Sequence, residues 1–312
     1  MPATTKTQHV ILPGKNIILV SLLSIGYLLL SYLLIGYKTE QLVLVLLFNT
    51  LYYATRDTRR LILGFSIFIV YWIIFDYMKA FPNYWYHEVD IAHIYNLEKG
   101  LFGIPYKGTV LTPNEFLKVH ANSFLDVMSG IFYLTWVPVP LAFAVYLFFK
   151  NRLYFFYFSL TFLLVNLVGF VIYYLHPAAP PWYVQLYGFE FHPQTPGNTA
   201  GLSRFDSFFG VSVFKSIYAK SSNVFAAMPS LHSSYPVIVL FYSMKSRMRY
   251  LNVLFACIMV GIWFAAVYSS HHYLVDVLAG ILCAVVSIAL FLRLTQAGWM
   301  SKFISGLMKA TA

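Results

Sequence analysis

Long apolar runs separated by short basic turns set the pattern of this sequence. A helix of about 20 apolar residues crosses a hydrocarbon core roughly 30 Å thick, and six runs approach that length. These runs predict membrane-spanning helices at residues 17–37, 61–78, 127–149, 153–175, 251–269 and 274–292. Two shorter runs, 41–54 and 230–244, are either spans or re-entrant segments. We therefore expect an all-α, polytopic membrane bundle with about eight transmembrane helices.

Two segments interrupt the apolar pattern, and we expect both on the outer, non-cytoplasmic face. Residues 79–126 mix polar and aromatic positions, and residues 176–229 contain prolines and glycines that prevent a long helix. Loops of this length are usually functional, and their aromatic residues favour ordered packing at the interface. We divide the chain into N-terminal transmembrane helices (1–84), a second membrane domain (85–293) and a short cytoplasmic tail (294–312).

The composition supports a membrane protein and narrows the possible functions. Hydrophobic residues make up 60% of the 312 residues and charged residues only 10%, which is too little polar surface for a soluble globule. The net charge of +10 does not indicate nucleic-acid binding, because the basic residues concentrate in juxtamembrane turns. By the positive-inside rule, the basic turns at 150–152 and 245–249 are cytoplasmic, and both termini are then cytoplasmic as well. If 41–54 does not span, only the N-terminus moves to the outer side. Cys257 and Cys283 fall within predicted helices and imply no disulfide framework.

Candidate chemistry lies at the outer ends of two predicted helices, where ionisable side chains indicate function. His232 follows Ser230 at the start of one helix, and His272 and Asp276 stand at the start of the other. If residues 272–276 are helical, His272 and Asp276 share a face, and the carboxylate can accept a hydrogen bond from the imidazole. That bond would leave the other ring nitrogen as a nucleophile, and His232 could protonate the leaving oxygen.

Two other interpretations apply to these residues. A lone histidine at a membrane interface is often only an amphipathic anchor, but two histidines at one face, one of them near Asp276, favour catalysis. His232, His271, His272 and Asp276 could alternatively bind zinc. Adjacent histidines on one helix point about 100° apart, so His271 and His272 would not face one ion. We therefore expect no metal and no organic cofactor.

These motifs resemble those of a known family. Pro-Ser-Leu-His at 229–232, followed 40 residues after its histidine by His272-x-x-x-Asp276, is similar to the second and third motifs of the type 2 phosphatidic acid phosphatase superfamily. The resemblance implies a six-helix catalytic core within residues 85–293. It also implies that His272 becomes a phosphohistidine, that Asp276 orients it, and that His232 is the acid and base. Three segments look most like the inositol phosphorylceramide synthase branch: 176–183, 200–206 and 270–276.

The chain departs from the phosphatases of that superfamily in its basic residues. It contains no Arg-Pro pair, and Ala266 stands where those enzymes place an arginine six residues before the nucleophile. A phosphate monoester carries up to two negative charges and needs several cations, whereas a phosphodiester carries one. The sparse cations favour a phospholipid headgroup donor near Arg204, although an ion pair of Arg204 with Asp206 is an equal alternative. The residues expected to contact substrate are Arg204, Ser230, His271, Asp126 and Tyr183.

The sequence thus predicts a membrane lipid phosphotransferase. It would move an inositol-phosphate headgroup from a phosphatidylinositol-like donor to a ceramide-like acceptor. One alternative is a lipid phosphatase acting on phosphatidic acid, a phosphoinositide phosphate or undecaprenyl diphosphate, and another is a non-catalytic lipid scaffold or transporter. The expected location is a bacterial inner membrane with a periplasmic site, and the alternative is a Golgi membrane with a lumenal site.

Overall fold

The part of the chain that the computed structural model describes, residues 14–219 and 223–312, is mostly helical. Within it, one two-stranded antiparallel hairpin is the only sheet. In chain order the elements are α1 (Gly14–Ile35), α2 (Thr39–Ala54), α3 (Arg56–Tyr77), α4 (Ala92–Phe102), β1 (Ile104–Tyr106), β2 (Thr109–Leu111), α5 (Pro113–Val119), α6 (Ser123–Leu134), α7 (Pro138–Lys150), α8 (Arg152–Leu175), α9 (Pro181–Tyr187), α10 (Ser203–Phe209), α11 (Val213–Tyr218), α12 (Leu231–Lys245), α13 (Arg249–Tyr268), α14 (Leu274–Leu294) and α15 (Gly298–Ala310). The all-α class is confirmed.

Six helical stretches in the described residues are long and apolar enough to cross a membrane. They are α1, α3, α8, α13 and α14, together with one stretch that contains α6 and α7. The two shorter runs form α2 and α12, which have 16 and 15 residues. An integral membrane bundle is therefore confirmed. The count of eight spans is not, because α2 and α12 are short for a full crossing.

A break divides the span predicted at 127–149 into α6 and α7. Pro138 and Pro140 lack the amide hydrogens that a continuous helix would donate to the carbonyls of Leu134 and Trp136, and their rings would collide with those carbonyls. Pro138 instead begins α7, at a position that tolerates proline. Tyr133 and Trp136 therefore lie at the interruption between α6 and α7.

The centre of the bundle is α12, which packs against α8, α13 and α14. Its contact with α14 is made at backbone distance, since a Cβ on Gly280 would lie 2.1 Å from the carbonyl oxygen of Ser230. The hydroxyl of Ser234 also donates to the carbonyl oxygen of Gly280 over 2.6 Å. These contacts hold the first turn of α12 against α14, and thus bring together the two parts of the histidine motif.

Both long segments that interrupt the apolar pattern fold into short elements. Residues 79–126 contain α4, the β1–β2 hairpin and α5, whereas residues 176–229 contain α9, α10 and α11. The prediction that prolines exclude a long helix from 176–229 is confirmed. A backbone hydrogen bond of 2.8 Å from the Asp90 amide to the Pro177 carbonyl joins the two segments.

The residues after α14 form an amphipathic helix. α15 packs against α3 and α8 with Ile304 buried, while Trp299 and Phe303 remain exposed, as in a helix lying at a membrane surface. The interpretation of 294–312 as a short tail missed this helix, because only one face is apolar and the helix is too short to span. The division at residues 84 and 293 stays a prediction.

Cysteine labelling can test the orientation of the bundle. Ser203 is exposed at the start of α10, and Ser246 follows the opposite end of α12 from the histidine. In a variant without Cys257 and Cys283, Ser203→Cys should react with an impermeant thiol reagent in spheroplasts of a bacterial host. Ser246→Cys should react only after the membrane is opened, because the positive-inside rule predicts that its basic turn is cytoplasmic. Labelling of Ser246→Cys alone in sealed spheroplasts would reverse the orientation.

Candidate active site

His232 lies in the first turn of α12. The helix begins there because Ser230 is its N-cap, and the Ser230 hydroxyl accepts a hydrogen bond from the Ser233 amide at 3.3 Å. The Ser233 hydroxyl also donates to the Ser230 hydroxyl at 3.0 Å, and Ser230 is fully buried. The geometry gives Ser230 a structural role in placing His232. Its contact with substrate stays a prediction.

His272 does not lie on a helix, contrary to the expectation from its spacing. It stands in the turn between α13 and α14, because α14 begins after it. The amides of His271 and His272 both donate to the carbonyl oxygen of Ala266 at 3.1 Å and thereby close this turn. Ser270, with a φ of 61°, supplies the left-handed residue in the reversal. The argument that His272 and Asp276 share a helical face was therefore wrong.

A backbone carbonyl accepts the hydrogen bond that Asp276 was expected to accept. His272 Nδ1 lies 3.0 Å from the carbonyl oxygen of Ala227 and 3.7 Å from Oδ2 of Asp276. Because a carbonyl oxygen only accepts, Nδ1 carries the proton and Nε2 carries the lone pair. Oδ2 of Asp276 instead accepts from the Tyr273 amide at 2.8 Å. The tautomer is the expected one, but a different group fixes it.

The two imidazoles face each other. Nε2 of His272 lies 3.1 Å from Nδ1 of His232. Because Nε2 of His272 has no proton, Nδ1 of His232 donates this hydrogen bond. Two atoms at hydrogen-bond distance leave no space for a phosphoryl group between them. Substrate binding must therefore separate His232 from His272.

Two aromatic residues that the sequence analysis did not single out pack against His232. The Tyr133 hydroxyl lies 3.3 Å from Nδ1 of His232, and the Trp136 ring meets the imidazole edge-on with centroids 4.5 Å apart. Aromatic residues are common in membrane helices, so their type gave no indication of a role. Pro138 and Pro140, which follow these residues in the sequence, were the only indication that the helix is interrupted there.

His271 contacts a different set of residues. Its Nε2 lies 3.1 Å from the carbonyl oxygen of Thr199, and its ring stacks on Tyr218 with centroids 4.4 Å apart. Burial and the neighbouring His272 lower the pKa of His271 to about 3, so the ring is neutral at pH 7. Within the described residues, no three His, Cys, Asp or Glu side chains are grouped to hold a metal ion. Substrate contact by His271 stays a prediction.

Arg204 pairs with Asp126 and not with Asp206. Nε of Arg204 lies 2.5 Å from Oδ1 of Asp126, which also accepts from the Tyr268 hydroxyl at 2.7 Å. The carboxylate of Asp206 accepts from two backbone amides of α11. The alternative pairing of Arg204 with Asp206 is therefore wrong. Nη2 of Arg204 is buried without a hydrogen-bond partner among the described residues.

The guanidinium of Arg204 lies beside the turn that carries His272. A Cβ on Gly201 would come within 2.8 Å of Cα of Ser269 and within 3.1 Å of Nη1 of Arg204, so the close approach requires glycine. The Gly201 amide also donates to the Ser269 carbonyl at 2.9 Å. Arg204 is thus fixed near the candidate nucleophile by the segment at 200–204.

Tyr183 lies in a separate cluster with Trp182 and Phe225. Its hydroxyl donates to the carbonyl oxygen of Glu190 at 2.7 Å and accepts from the His192 amide at 2.8 Å. Tyr183 therefore holds its own loop together. Its predicted contact with substrate is not tested by these contacts.

Two buried polar residues of the first outer segment hold the turn around His272. Asn114 donates to the carbonyls of Val267 and His272 at 2.7 and 2.8 Å. Glu98 accepts from the first two amides of α14 at 2.9 and 3.0 Å. Burial raises the pKa of Glu98, while these two bonds oppose the shift. In the sequence, Glu98 looks like an ordinary surface residue of an amphipathic helix, so nothing in its local pattern indicated this role.

The protonation of His272 gives a test that needs no activity. Burial lowers the pKa of His272 to about 4, although its bond to the Ala227 carbonyl opposes the shift. ¹⁵N NMR of histidine-labelled protein, with His272 assigned from its loss in His272→Ala, should therefore show a neutral ring between pH 7 and 5. The proton should stay on Nδ1 in Asp276→Asn, because the carbonyl fixes the tautomer. An Nε2-protonated ring in that variant would return this role to Asp276.

Comparisons with known proteins identify a family and several relatives. The PAP2 superfamily matches residues 109–290, which include both histidines of the pair and Asp276. Phosphoinositol dihydroceramide synthase of Bacteroides thetaiotaomicron is 47% identical over 285 residues, which cover 91% of this chain and 90% of that protein. No solved structure gives a match.

Two fungal proteins are more distant relatives. The inositol phosphorylceramide synthase catalytic subunit of Schizosaccharomyces pombe is 28% identical over 229 residues, which are 71% of this chain and 51% of that protein. The corresponding Saccharomyces cerevisiae protein is 30% identical over 172 residues, which are 54% of this chain and 42% of that protein. The superfamily match alone spans more than half of the sequence and contains the paired histidines. The chain therefore belongs to the PAP2 superfamily.

Proposed function

We propose that this protein transfers an inositol-phosphate headgroup from an inositol phospholipid to the hydroxyl of a ceramide-type lipid. The observation that carries the proposal is the contact between His232 and His272, whose facing nitrogens lie 3.1 Å apart. The names of the bacterial relative and of the two fungal relatives support the choice of headgroup and acceptor.

In the first half-reaction, the lone pair on Nε2 of His272 attacks phosphorus. An N–P bond forms and the P–O bond to the glycerol oxygen breaks. An alkoxide is a poor leaving group and needs a proton. The negative phosphodiester favours the imidazolium form of His232, and the Nδ1 proton of that imidazolium passes to the departing oxygen, which gives diacylglycerol.

In the second half-reaction, His232 acts as a base. Its Nδ1 is now free of a proton and takes one from the acceptor hydroxyl. The hydroxyl oxygen attacks phosphorus, the N–P bond to His272 breaks, and the inositol phosphorylated lipid leaves. The same two side chains thus serve both steps, and His232 returns to its protonated form.

Arg204 is the proposed phosphate-binding cation. Asp126 neutralises part of its charge and holds Nε. Nη2, which has no hydrogen-bond partner in the described part of the chain, is left to donate to a nonbridging phosphate oxygen. One such cation suits a phosphodiester, which carries one negative charge. Asp126 therefore acts on substrate through Arg204.

Burial of the site favours transfer over hydrolysis. His272 is 5% exposed, and Tyr133 and Trp136 cover His232. A phosphohistidine formed here is shielded from bulk water, so a lipid hydroxyl that enters from the membrane meets it first.

We place the site on the periplasmic side of a bacterial inner membrane. The basic turns after α7 and α12 lie at the helix ends opposite the histidines, and the positive-inside rule makes those ends cytoplasmic. The bacterial origin of the relative that matches 91% of the chain supports the inner membrane.

The function is tested by supplying purified enzyme with phosphatidylinositol labelled in its headgroup phosphate and with ceramide. Wild type should form an inositol-phosphate sphingolipid and, without ceramide, a label on protein that survives alkali, as phosphohistidine does. His272→Ala should form neither, because the nucleophile is gone. His232→Ala should slow both formation and loss of the label, because one imidazole serves both steps.

His120→Ala is the matched control, because His120 is an exposed histidine whose ring hydrogen-bonds the Phe116 carbonyl of the preceding helix. It should behave as wild type. Release of free inositol phosphate without any sphingolipid product would support a lipid phosphatase instead. Full activity in His272→Ala would exclude His272 as the nucleophile.

Asp276→Asn separates charge from shape in the first half-reaction. Asparagine can still accept from the Tyr273 amide, so the start of α14 should persist. Opposite unit charges about 4 Å apart interact by about 4 kcal/mol at an effective dielectric of 20, and positive charge develops on His272 during attack. Label formation should therefore slow by about a hundredfold or more. Asp57→Asn, at an exposed cytoplasmic site, is the control. A rate within threefold of wild type would show that the charge of Asp276 is not used.

A further inference from the structure

Tyr133 is the partner that His232 can keep when substrate enters. Among the described residues, the hydrogen bonds of the His232 ring are those with Tyr133 at 3.3 Å and with His272 at 3.1 Å. Both involve Nδ1. A phosphoryl group must break the contact with His272, and the phosphorylated Nε2 of His272 can no longer accept a hydrogen bond. The substrate oxygen then takes the place of His272 beside Nδ1, and Tyr133 remains the second partner of that nitrogen.

A hydroxyl suits this position because it both donates and accepts. Before proton transfer, Nδ1 of His232 carries a proton and the Tyr133 oxygen can accept it in a hydrogen bond. After the proton has passed to the leaving oxygen, Nδ1 has a lone pair and the Tyr133 hydroxyl can donate to it. A carboxylate or carbonyl oxygen could serve only the first of these states. Tyr133 can therefore hold the ring in both half-reactions.

The position of Tyr133 is fixed by its surroundings. Its side chain is 1% exposed, and its ring lies against Phe214 and His271 with centroids 6.5 and 5.7 Å away. It stands one residue before the end of α6, next to the turn that Pro138 enforces. A hydroxyl held this firmly can orient the imidazole of His232 instead of following it.

We propose that Tyr133 is a positioning residue of the acid and base. Its oxygen shares the Nδ1 proton of His232 with the leaving oxygen, as it now shares that proton with His272, and its hydroxyl later donates to the deprotonated Nδ1 until the acceptor hydroxyl displaces it. This inference rests on the proposed function. It does not make Tyr133 a catalytic residue, because the proton moves between His232 and the substrates.

The test is Tyr133→Phe in the full-length enzyme, with Tyr242→Phe as the matched control. Tyr242 is also a buried tyrosine with a hydrogen-bonded hydroxyl, 2.7 Å from Thr161, and it lies away from the site. Rapid quenching with headgroup-labelled phosphatidylinositol gives the rate constant and the amplitude of label formation. Addition of ceramide gives the rate constant of label loss. In Tyr133→Phe both rate constants should fall about tenfold, the loss expected for one hydrogen bond, with the amplitude unchanged. Tyr242→Phe should keep wild-type rate constants.

A donor with a better leaving group sharpens the test. The nitrophenyl phosphodiester of inositol releases nitrophenolate, which needs no proton. Tyr133→Phe should therefore form label from this donor at close to the wild-type rate, while label loss to ceramide remains about tenfold slower. His232→Ala should show the same recovery in its first step.

Three results would overturn the inference. A lower amplitude with unchanged rate constants would mean that Tyr133 only stabilises the fold. An equal slowing with both donors would mean that it does not act through proton transfer. Wild-type rate constants with both donors would show that its hydroxyl is not used. The absence of label in wild type would instead remove the proposed function itself, and the two failures are therefore distinguishable.

Discussion

The hydrogen bond from Nδ1 of His272 to the carbonyl oxygen of Ala227 sets the chemistry of the whole site. It fixes the lone pair on Nε2, and that lone pair in turn fixes the proton on Nδ1 of His232. The carbonyl of Ala227 must therefore be held still. Backbone hydrogen bonds do this, since the Ala227 amide donates to Ala178 at 3.3 Å and the Ala178 amide donates to Phe225 at 2.9 Å. The long proline-rich segment 176–229 thus helps to fix the tautomer of His272.

The turn that carries His272 needs support from outside because it is not helical. Asn114 holds carbonyls on both sides of the turn, and Glu98 satisfies the first amides of α14. Asp276 accepts from a third amide, that of Tyr273. The buried carboxylates of Glu98 and Asp276 therefore both lie at the start of α14, where the helix dipole favours negative charge. Glu98 lies outside the residues that match the superfamily, 109–290. This part of the site is therefore built by a segment that the motifs do not cover.

The sequence was sufficient for features that depend on side-chain type and spacing. Apolar length predicted the six long spans, and the motif around His232 and His272 predicted which residues meet. The sequence was insufficient where a backbone group, and not a side chain, is the hydrogen-bond partner. The spacing of His272 and Asp276 suggested a shared helical face, but α14 begins only after His272. Nδ1 of His272 therefore donates its hydrogen bond to the carbonyl oxygen of Ala227 and not to Asp276. The break after α6 was readable from Pro138 and Pro140, yet the apolar run around them suggested a single span.

The contact between His232 and His272 also bears on the choice between lipid and water. Breaking a neutral hydrogen bond costs about 0.5 to 1.5 kcal/mol net, whereas a bond from an imidazolium to an anionic phosphate contributes about 1.5 to 3 kcal/mol. An anionic phosphodiester therefore offers an imidazolium at His232 a stronger hydrogen-bond partner than the neutral ring of His272. Water can offer only another neutral hydrogen bond, and gains nothing by entering. In the substrate-free site the two histidines thus close against water, and they open for the charge of the donor. In the proposed mechanism, a phosphorylated His272 keeps the pair from closing until the headgroup has left. The aromatic cover from Tyr133 and Trp136 must then keep water out during that interval.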